Sequence, residues 1–253
     1  MRIVRFQAGR EARYGVVEDD IVREIAGDVF GRFRVTRKKH PLKRIRFLTP
    51  TEPTKIVGVG LNYRDHAAEL GFELPDEPVI FIKPSTTALP HRGKIIYPRV
   101  SNRVDYEAEL AIVIKRYARD VPIEKARRYI LGYTCFNDVT ARDLQRKDGQ
   151  WTRGKSFDTF SPFGPWVETT LDPHNAPIRA YLNGELKQGS NTASFIFDVP
   201  YVVSFITAVM PLFPGDVIAT GTPSGIGPMK PGDTIEIEIE GIGRLRNTLA
   251  RKP

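Results

Sequence analysis

Short apolar runs separated by charged turns dominate the first 48 residues of the chain. They occur at Ile3-Val4, at Tyr14 to Val17 and at Ile21-Val22. Such brief runs around charged turns are typical of short strands. The segment at 48–54, LTPTEPT, then carries two prolines, which interrupt continuous structure. We therefore predict a small N-terminal β-rich domain over residues 1–48 and a second domain over residues 49–253.

The rest of the pattern predicts many strands and few helices. Strands are expected at 55–60, 79–82, 94–97, 106–114, 133–138, 216–220, 233–240 and 244–250. Helices are expected at 62–71, 123–131, 140–147 and 200–210, with Asn62 as the cap of the first and Gly132 closing the second. Because strands and helices do not alternate as in βαβ units, the sequence predicts an α+β fold built on a β-sandwich or roll.

Composition narrows the class of protein. The chain is 41% hydrophobic, 10% aromatic and 27% charged, which is ordinary for a globular fold. Its single cysteine, Cys135, permits neither an internal disulfide nor a cysteine-rich zinc site. No apolar stretch approaches the length of a membrane span, and charged residues stand where a signal peptide needs an apolar core. We expect a soluble, cytoplasmic protein without a membrane partner.

The net charge of +8 resides in one segment. Residues 32–46 contain eight lysines and arginines and no acid, whereas basic and acidic residues are equal in number elsewhere, 30 of each. Such a segment either binds phosphates or forms a solvated loop or strand edge. No recognition helix is evident, so we predict that nucleic acid is not a partner.

Three acidic residues occupy alternate positions at the start of an apolar strand. Asp105, Glu107 and Glu109 would share one face of a strand. A second set with this spacing, in TIEIEIE at 234–240, alternates with isoleucines and indicates a half-buried strand with a solvated acidic face. The first set instead leads into residues 110–114, which are apolar on both faces. Carboxylates clustered beside a buried strand need a cation or protons to persist, which favours a metal site.

Asp138 is the candidate for a third metal ligand. It ends the apolar strand at 133–138 and precedes a predicted helix. The alternative is that its carboxylate caps that helix, and the sequence does not separate the two interpretations. Carboxylate ligands without histidine or cysteine favour Mg²⁺, Mn²⁺ or Ca²⁺ over Zn²⁺.

Further polar residues are candidates for catalysis. His66 and Glu69 are three positions apart on a predicted helix, so they lie on one side of it. A carboxylate beside an imidazole suits a general base acting on water, although a surface pair is the simpler interpretation. Arg142, Gln145 and Lys155 are the side chains that could bind a substrate carboxylate, although each taken singly is more typical of a surface.

Glycine-rich segments give only weak indications of anion or nucleotide binding. The loop at 221–228, GTPSGIGP, either cradles an anion with backbone N–H groups or is a tight connection between strands. The glycines at 58 and 60 lack the third glycine of a dinucleotide fingerprint. The GKS at 154–156 lacks the upstream glycine of a phosphate-binding loop. The sequence therefore does not support nucleotide binding.

Taken together, these segments resemble the fumarylacetoacetate hydrolase family, over about residues 55–243 in unbroken order. The matching segments are GVGLNYRDHAAELG, PVIFIKPSTTALP, DYEAELAIVI, FNDVTARDLQ, RGKSFDTFSPFGPW and PGDVIATGTPSGIGPMKPGDTIEIEIEGIG. The shorter N-terminal part resembles the small β-domain of bacterial members. The resemblance implies a mixed β-sandwich roll and a homodimer.

The resemblance also implies a site. It implies one Mg²⁺ or Mn²⁺ per subunit, held by Glu107, Glu109 and Asp138. Asp105 is not carried over as a ligand, and we expect it to support its neighbours. It implies catalytic roles for His66, Glu69 and Lys155, and substrate contacts from Arg142, Gln145 and Thr222.

The expected substrates are small 2-oxo or enol acids, whose oxygens chelate the metal while an enolate forms. An isomerase or hydrolase of 2-hydroxyhepta-2,4-diene-1,7-dioate type is the leading expectation. An acylpyruvate hydrolase or an oxaloacetate decarboxylase is the alternative. A non-catalytic basic binding module centred on residues 32–46 is an alternative from a different class.

Overall fold

A computed structural model describes residues 1–65, 67 and 73–251. The strands are β1 (Arg2–Ala8), β2 (Glu11–Glu18), β3 (Ile21–Gly27), β4 (Phe33–Pro41), β5 (Arg46–Phe47), β6 (Lys55–Gly60), β7 (Val79–Pro84), β8 (Ala88–Leu89), β9 (Lys94–Tyr97), β10 (Val104–Tyr106), β11 (Ala108–Ile114), β12 (Ile130–Asn137), β13 (Thr140–Ala141), β14 (Ser161–Glu168), β15 (Pro177–Leu182), β16 (Glu185–Asn191), β17 (Val217–Ala219), β18 (Gly227–Met229), β19 (Thr234–Ile239) and β20 (Gly243–Arg251). The helices that lie wholly within the described ranges are α1 (Arg142–Asp148), α2 (Thr152–Lys155) and α3 (Val199–Val209), with 3₁₀ turns at Leu42–Arg44, Ser85–Thr87, Ile123–Tyr129 and Thr192–Ser194. None of the helices in the described ranges has the length and apolar character needed to span a bilayer.

The strands form three sheets. The largest has the order β4-β3-β2-β1-β14-β12-β11-β17-β6-β7, with β5 paired to β1 and β8 paired to β14. A second sheet has the order β16-β15-β19-β20-β9, and a third is β13-β10-β18. The two larger sheets are mixed, because each contains a parallel pair among antiparallel ones: β17 with β6 in the first and β20 with β9 in the second. This is the α+β fold that the sequence predicts.

Strand β11 lies at the centre of the large sheet and is buried along its whole length. Leu110 and Ile112 pack on one side against the five-stranded sheet, in a cluster that includes Ile178, Ile237 and Leu245. The alternate residues of β11 join other clusters on the opposite side. A strand covered on both faces reads as a continuous apolar run, which explains its sequence. The acids at its start therefore lie next to the core.

The N-terminal strands extend the large sheet rather than forming a separate one. Strand β1 pairs with β14, with Arg2 opposite Glu168 and Ile3 opposite Val167. Strand β4 lies at the sheet edge, is mostly exposed and carries much of the basic segment at 32–46. The division of the chain into domains at residue 48 stays a prediction.

Three predicted elements differ from the structure, and the helix expected at 62–71 lies partly outside the described residues. The helix expected at 123–131 is a 3₁₀ turn that ends at Tyr129, and Gly132 lies inside β12. Glycine is required there by a close approach, since a Cβ would lie 2.4 Å from the carbonyl oxygen of Glu168. The helix expected from residue 140 begins two residues later, after the short strand β13. The strand expected over 106–114 breaks at Glu107, where the chain passes from the three-stranded sheet to the large one.

Candidate active site

Three carboxylates meet where the central strands begin and end. Glu107 lies at the break between β10 and β11, and Glu109 lies on β11. Asp138 follows β12, which pairs with β11 so that Ala108 lies opposite Asn137. One oxygen from each carboxylate lies within 4.8 Å of the others, and the residues are only 5%, 2% and 1% exposed. The two strand ends therefore bring together the three acids that the sequence singled out as metal ligands.

Two buried lysines contact this cluster. Lys155 Nζ donates to Glu107 Oε2 at 2.8 Å and to Asp138 Oδ2 at 2.6 Å. Burial alone would lower the pKa of Lys155, but the charges of Asp138 and Glu107 outweigh it and raise the pKa above its usual value. Lys83, on β7, donates to the other oxygen of Asp138 and to two backbone carbonyls, those of Val139 and Phe160. Lys83 thus fixes the position of Asp138 and has its three donors engaged.

Glu109 has a different environment. Its Oε2 accepts a hydrogen bond from the N–H of Gly221 at 2.9 Å, and within the described ranges no lysine or arginine forms an ion pair with it. Burial, with the charges of Asp138 and Glu107, raises the pKa of Glu109 well above its usual value. The pKa of Glu107 is shifted in the opposite direction. Burial would raise its pKa, but the charges of Lys155 and Arg142 hold that pKa below its usual range.

The cluster suits a hard divalent cation. It supplies three carboxylates and no histidine or cysteine, which are the ligands that Mg²⁺ and Mn²⁺ prefer. The raised pKa of Glu109 indicates a carboxylate whose charge lacks compensation by the protein's own cations. A divalent cation would provide that compensation, so the residues present fit a metal ion.

Arg142 lies beside the cluster on α1. Its Nε donates to Asp105 Oδ2 at 2.9 Å, its Nη1 to Gln145 Oε1 at 2.6 Å, and its Nη2 to Glu107. Asp105 also accepts from Arg103. Asp105 thus lies behind the cluster and supports it through Arg142, while the three nitrogens of Arg142 each already bind a protein oxygen.

Thr222 reaches the cavity from the loop after β17. Gln188 Nε2 donates to Thr222 Oγ1 at 2.9 Å and to the Pro223 carbonyl at 2.8 Å, and its Oε1 accepts from the N–H of Ala108. Because Thr222 Oγ1 accepts that bond, its own hydrogen is directed elsewhere. Gln188 was not predicted from the sequence, since it lies in a polar strand, β16, that reads as a surface strand.

A cavity of about 490 Å³ opens over the carboxylates. Its lining residues are Val59, Gly60, Leu61, Phe81, Glu107, Glu109, Asp138, Arg142, Gln145, Arg146, Gly149, Trp151, Lys155, Thr222 and Ile226. Phe81 and Trp151 pack edge to face in its wall, with ring centroids 5.2 Å apart. The cavity therefore combines a charged floor with an apolar wall.

Seven of the nine predicted site residues line this one cavity: Glu107, Glu109, Asp138, Arg142, Gln145, Lys155 and Thr222. The other two, His66 and Glu69, lie outside the described residues. The alternative role of Asp138 as a helix cap is wrong, because α1 starts after Ala141 without a side-chain cap and the carboxylate of Asp138 binds the two lysines. The surface alternatives for Arg142 and Lys155 are also wrong, because both residues are buried.

Lys83 is a further residue of the site that the sequence analysis missed. It is fully buried near the end of an otherwise apolar strand, and a lysine after an apolar run is the sequence signal for such a residue. Its acceptors lie 55 to 77 residues further along the chain, so only the fold brings them together.

Comparison with known proteins agrees with this architecture. The family described as fumarylacetoacetate (FAA) hydrolase C-terminal matches residues 55–250, and the family described as Rv2993c-like, N-terminal matches residues 1–50. A protein of Archaeoglobus fulgidus is 57% identical over 211 residues, which are 83% of this chain and 84% of that protein. The mitochondrial oxaloacetate tautomerase Fahd2a of Rattus norvegicus is 39% identical over 219 residues, 82% of this chain and 70% of that protein.

A solved structure is similar over the whole chain. The crystal structure of 2-hydroxyhepta-2,4-diene-1,7-dioate isomerase from Mycobacterium marinum superposes with a TM-score of 0.93 at 43% identity, covering 100% of this chain and 99% of that one. Both the sequence match over residues 55–250 and the shared fold lead to one conclusion. The chain belongs to the fumarylacetoacetate hydrolase family.

Proposed function

We propose that this protein is a divalent-metal-dependent enzyme that isomerises small 2-hydroxy-dienoic or 2-oxo dicarboxylic acids, of the 2-hydroxyhepta-2,4-diene-1,7-dioate type. The observation that carries the proposal is the buried cluster of Glu107, Glu109 and Asp138 on the floor of a cavity, beside the ammonium of Lys155. The similarity to the isomerase of Mycobacterium marinum supports the choice of reaction. The expected cofactor is one Mg²⁺ or Mn²⁺ per subunit.

The proposed reaction moves one proton and shifts two double bonds. The C2 hydroxyl of the dienol loses its proton, C2 becomes a carbonyl, and C5 accepts a proton, leaving a double bond between C3 and C4. Negative charge develops on the C2 oxygen on the way. A bound divalent cation supplies Lewis-acid stabilisation of that charge.

The protein's own side chains would orient the substrate and handle the charge. The ammonium of Lys155, held by Glu107 and Asp138, would present positive charge to the same oxygen. Thr222, whose oxygen is bound by Gln188, has its hydroxyl hydrogen available for a substrate oxygen. Gln145 and the remaining N–H groups of Arg142, which line the same cavity, would bind the C1 carboxylate.

Hydrolysis of an acylpyruvate and decarboxylation of oxaloacetate are the alternatives. Each forms an enolate at the same position, so the floor of the cavity serves all three reactions. The 39% identity to an oxaloacetate tautomerase keeps oxaloacetate among the candidate substrates. Hydrolysis also needs an activated water, for which His66 and Glu69 are the proposed base and its orienting partner.

A panel assay tests the proposal. The protein is stripped with EDTA, then assayed with Mg²⁺ or Mn²⁺ against the diene-dioate, an acylpyruvate and oxaloacetate, with loss of dienol absorbance as the isomerase readout. We expect metal-dependent turnover, fastest with the diene-dioate, and its loss in Asp138→Asn. The control is Glu238→Gln, since Glu238 pairs with Arg179 and Arg244 on the five-stranded sheet. Full activity in EDTA, or no turnover of any of the three acids, would contradict the proposal.

Other expectations from the sequence stay predictions. They are the homodimer, the cytoplasmic location and the absence of a nucleic-acid partner for residues 32–46. The last is tested by filter binding, because phosphate-driven binding that persists at about 150 mM salt would contradict it.

A further inference from the structure

The polarity of the residues that line the cavity changes from its floor to its rim. The floor carries the carboxylates and Lys155, whereas Val59, Phe81 and Trp151 give the wall an apolar surface. Arg146 is exposed and also lines the cavity, so it lies where the cavity meets solvent. A charged floor, an apolar wall and a cationic rim match a ligand with polar groups at both ends and a hydrocarbon middle.

Arg142 cannot serve both ends of such a ligand. Its guanidinium is buried and already binds Asp105, Glu107 and Gln145. These bonds hold it over the carboxylate cluster, at the floor. A second carboxylate farther out therefore needs another cation.

Arg146 is the cation in the right place. It lies four residues after Arg142 on α1, so the two side chains project from the same face of the helix. Within the described ranges its guanidinium has no ion pair or hydrogen bond, unlike Arg153 nearby, which pairs with Asp148. A ligand carboxylate that reaches the rim of the cavity would supply the partner that Arg146 lacks among the described residues.

We infer that Arg146 binds the distal carboxylate of a dicarboxylic substrate and makes the enzyme select diacids over monoacids of the same length. The inference rests on the proposed function, because it assumes that the 2-oxo acid group binds at the floor. Arginine suits the task, since its planar fork binds a carboxylate through two parallel hydrogen bonds.

Ligand binding tests the inference without turnover. Two saturated probes are titrated into the Mg²⁺-loaded protein, 2-oxoheptanedioate and 2-oxoheptanoate, which differ only in the distal carboxylate. Trp151 lines the cavity, so its fluorescence reports occupancy. We expect the wild type to bind the diacid about 10-fold or more tightly than the monoacid, as a charge-assisted arginine contact allows.

The variants assign that preference to a residue. Arg146→Gln should reduce the ratio of the two dissociation constants to near one by weakening diacid binding alone, and Arg146→Lys should retain part of it. The control is Lys147→Gln, which removes the same charge from an exposed neighbour on α1 that does not line the cavity. It should keep the wild-type ratio.

Two results would overturn the inference: a wild type that does not prefer the diacid, or an Arg146→Gln variant that keeps the preference. Turnover separates this failure from failure of the proposed function. If the wild type isomerises the diene-dioate while Arg146→Gln lowers kcat/KM equally for diacid and monoacid, the function stands and the role of Arg146 is wrong. If diacid binding depends on Arg146 but none of the candidate acids is turned over, the proposed reaction is wrong and the role of Arg146 stands.

Discussion

Replacing Lys155 by methionine should destabilise the metal-free protein and strengthen its response to metal. Lys155 is 2% exposed and donates to Glu107 and Asp138 at 2.8 and 2.6 Å. Removing one partner of a buried ion pair costs about 3–5 kcal/mol. The lower end applies here, because Lys83 still pairs with Asp138 and Arg142 with Glu107. A loss of about 3 kcal/mol lowers the melting temperature of a chain of this length by ~6–12 °C.

Binding of a divalent cation should restore the stability that Lys155→Met loses. A ligand at 100 times its dissociation constant stabilises a folded protein by about 2.7 kcal/mol. The response of Lys155→Met to Mn²⁺ should exceed the wild-type response, because the variant has lost a positive charge that opposes the incoming cation. The assay is thermal unfolding of both proteins in EDTA and across a Mn²⁺ titration.

A half-buried lysine elsewhere in the chain supplies the control. Lys55 Nζ pairs at 2.7 Å with the fully buried Asp216, which precedes β17, whereas Gly221, which binds Glu109, follows β17. Lys55→Met should also lower the melting temperature in EDTA, yet respond to Mn²⁺ as the wild type does. Two results would contradict this role of Lys155: a Lys155→Met variant that melts in EDTA at the wild-type temperature, or an equal rise in melting temperature with Mn²⁺ for all three proteins.

Three further predictions concern other parts of the molecule. Burial, with the charges of neighbouring arginines, lowers the pKa of His91 to about 4. Between about pH 6.5 and 4 the unfolded chain therefore binds a proton that the folded protein does not, so the free energy of unfolding should decrease as the pH is lowered, by about 3 kcal/mol at most. His91→Asn should flatten this pH dependence in urea unfolding. Gln188→Leu leaves the N–H of Ala108 without its acceptor and removes the hydrogen bond to Thr222. Urea unfolding should show a loss of about 1–3 kcal/mol in stability, and steady-state kinetics should show a higher KM. An unchanged KM would contradict the role of Gln188 in placing Thr222. His66→Asn should abolish any acylpyruvate hydrolysis, measured by product release, while Mn²⁺ affinity stays at the wild-type value; weaker Mn²⁺ binding would show that His66 is a ligand.

The sequence predicted the carboxylate cluster because strand geometry is local. Alternation placed Glu107 and Glu109 together, and the apolar run after them indicated a strand buried on both faces. The pairing of β11 with β12 then brings Asp138 to the same end. The sequence did not reveal that the chain changes sheets at Glu107, since the residues on either side of it are all compatible with one continuous strand.

Lys83 and Gln188 escaped prediction because their partners are distant along the chain. Gln188 binds Ala108, 80 residues before it, and Thr222, 34 residues after it. No local pattern marks such a residue, since a glutamine in a polar strand is ordinarily exposed. The 3₁₀ turn at Ile123–Tyr129 was mistaken for a longer helix for a related reason, because Gly132 resembles a helix stop but is required by the close approach of Glu168 across β12 and β14.

Equilibrium binding of Mn²⁺ decides whether the three carboxylates hold a metal ion. The free ion is counted by electron paramagnetic resonance after EDTA-stripped protein is mixed with Mn²⁺. The wild type should bind one Mn²⁺ per chain, and Glu109→Gln should bind it at least ~100-fold more weakly, because loss of a ligand exceeds the effect of losing a residue that only supports one. Glu236→Gln, which alters a partly exposed acid paired with Arg244 and Arg246, should bind as the wild type does. Wild-type Mn²⁺ affinity in Glu109→Gln would contradict the account.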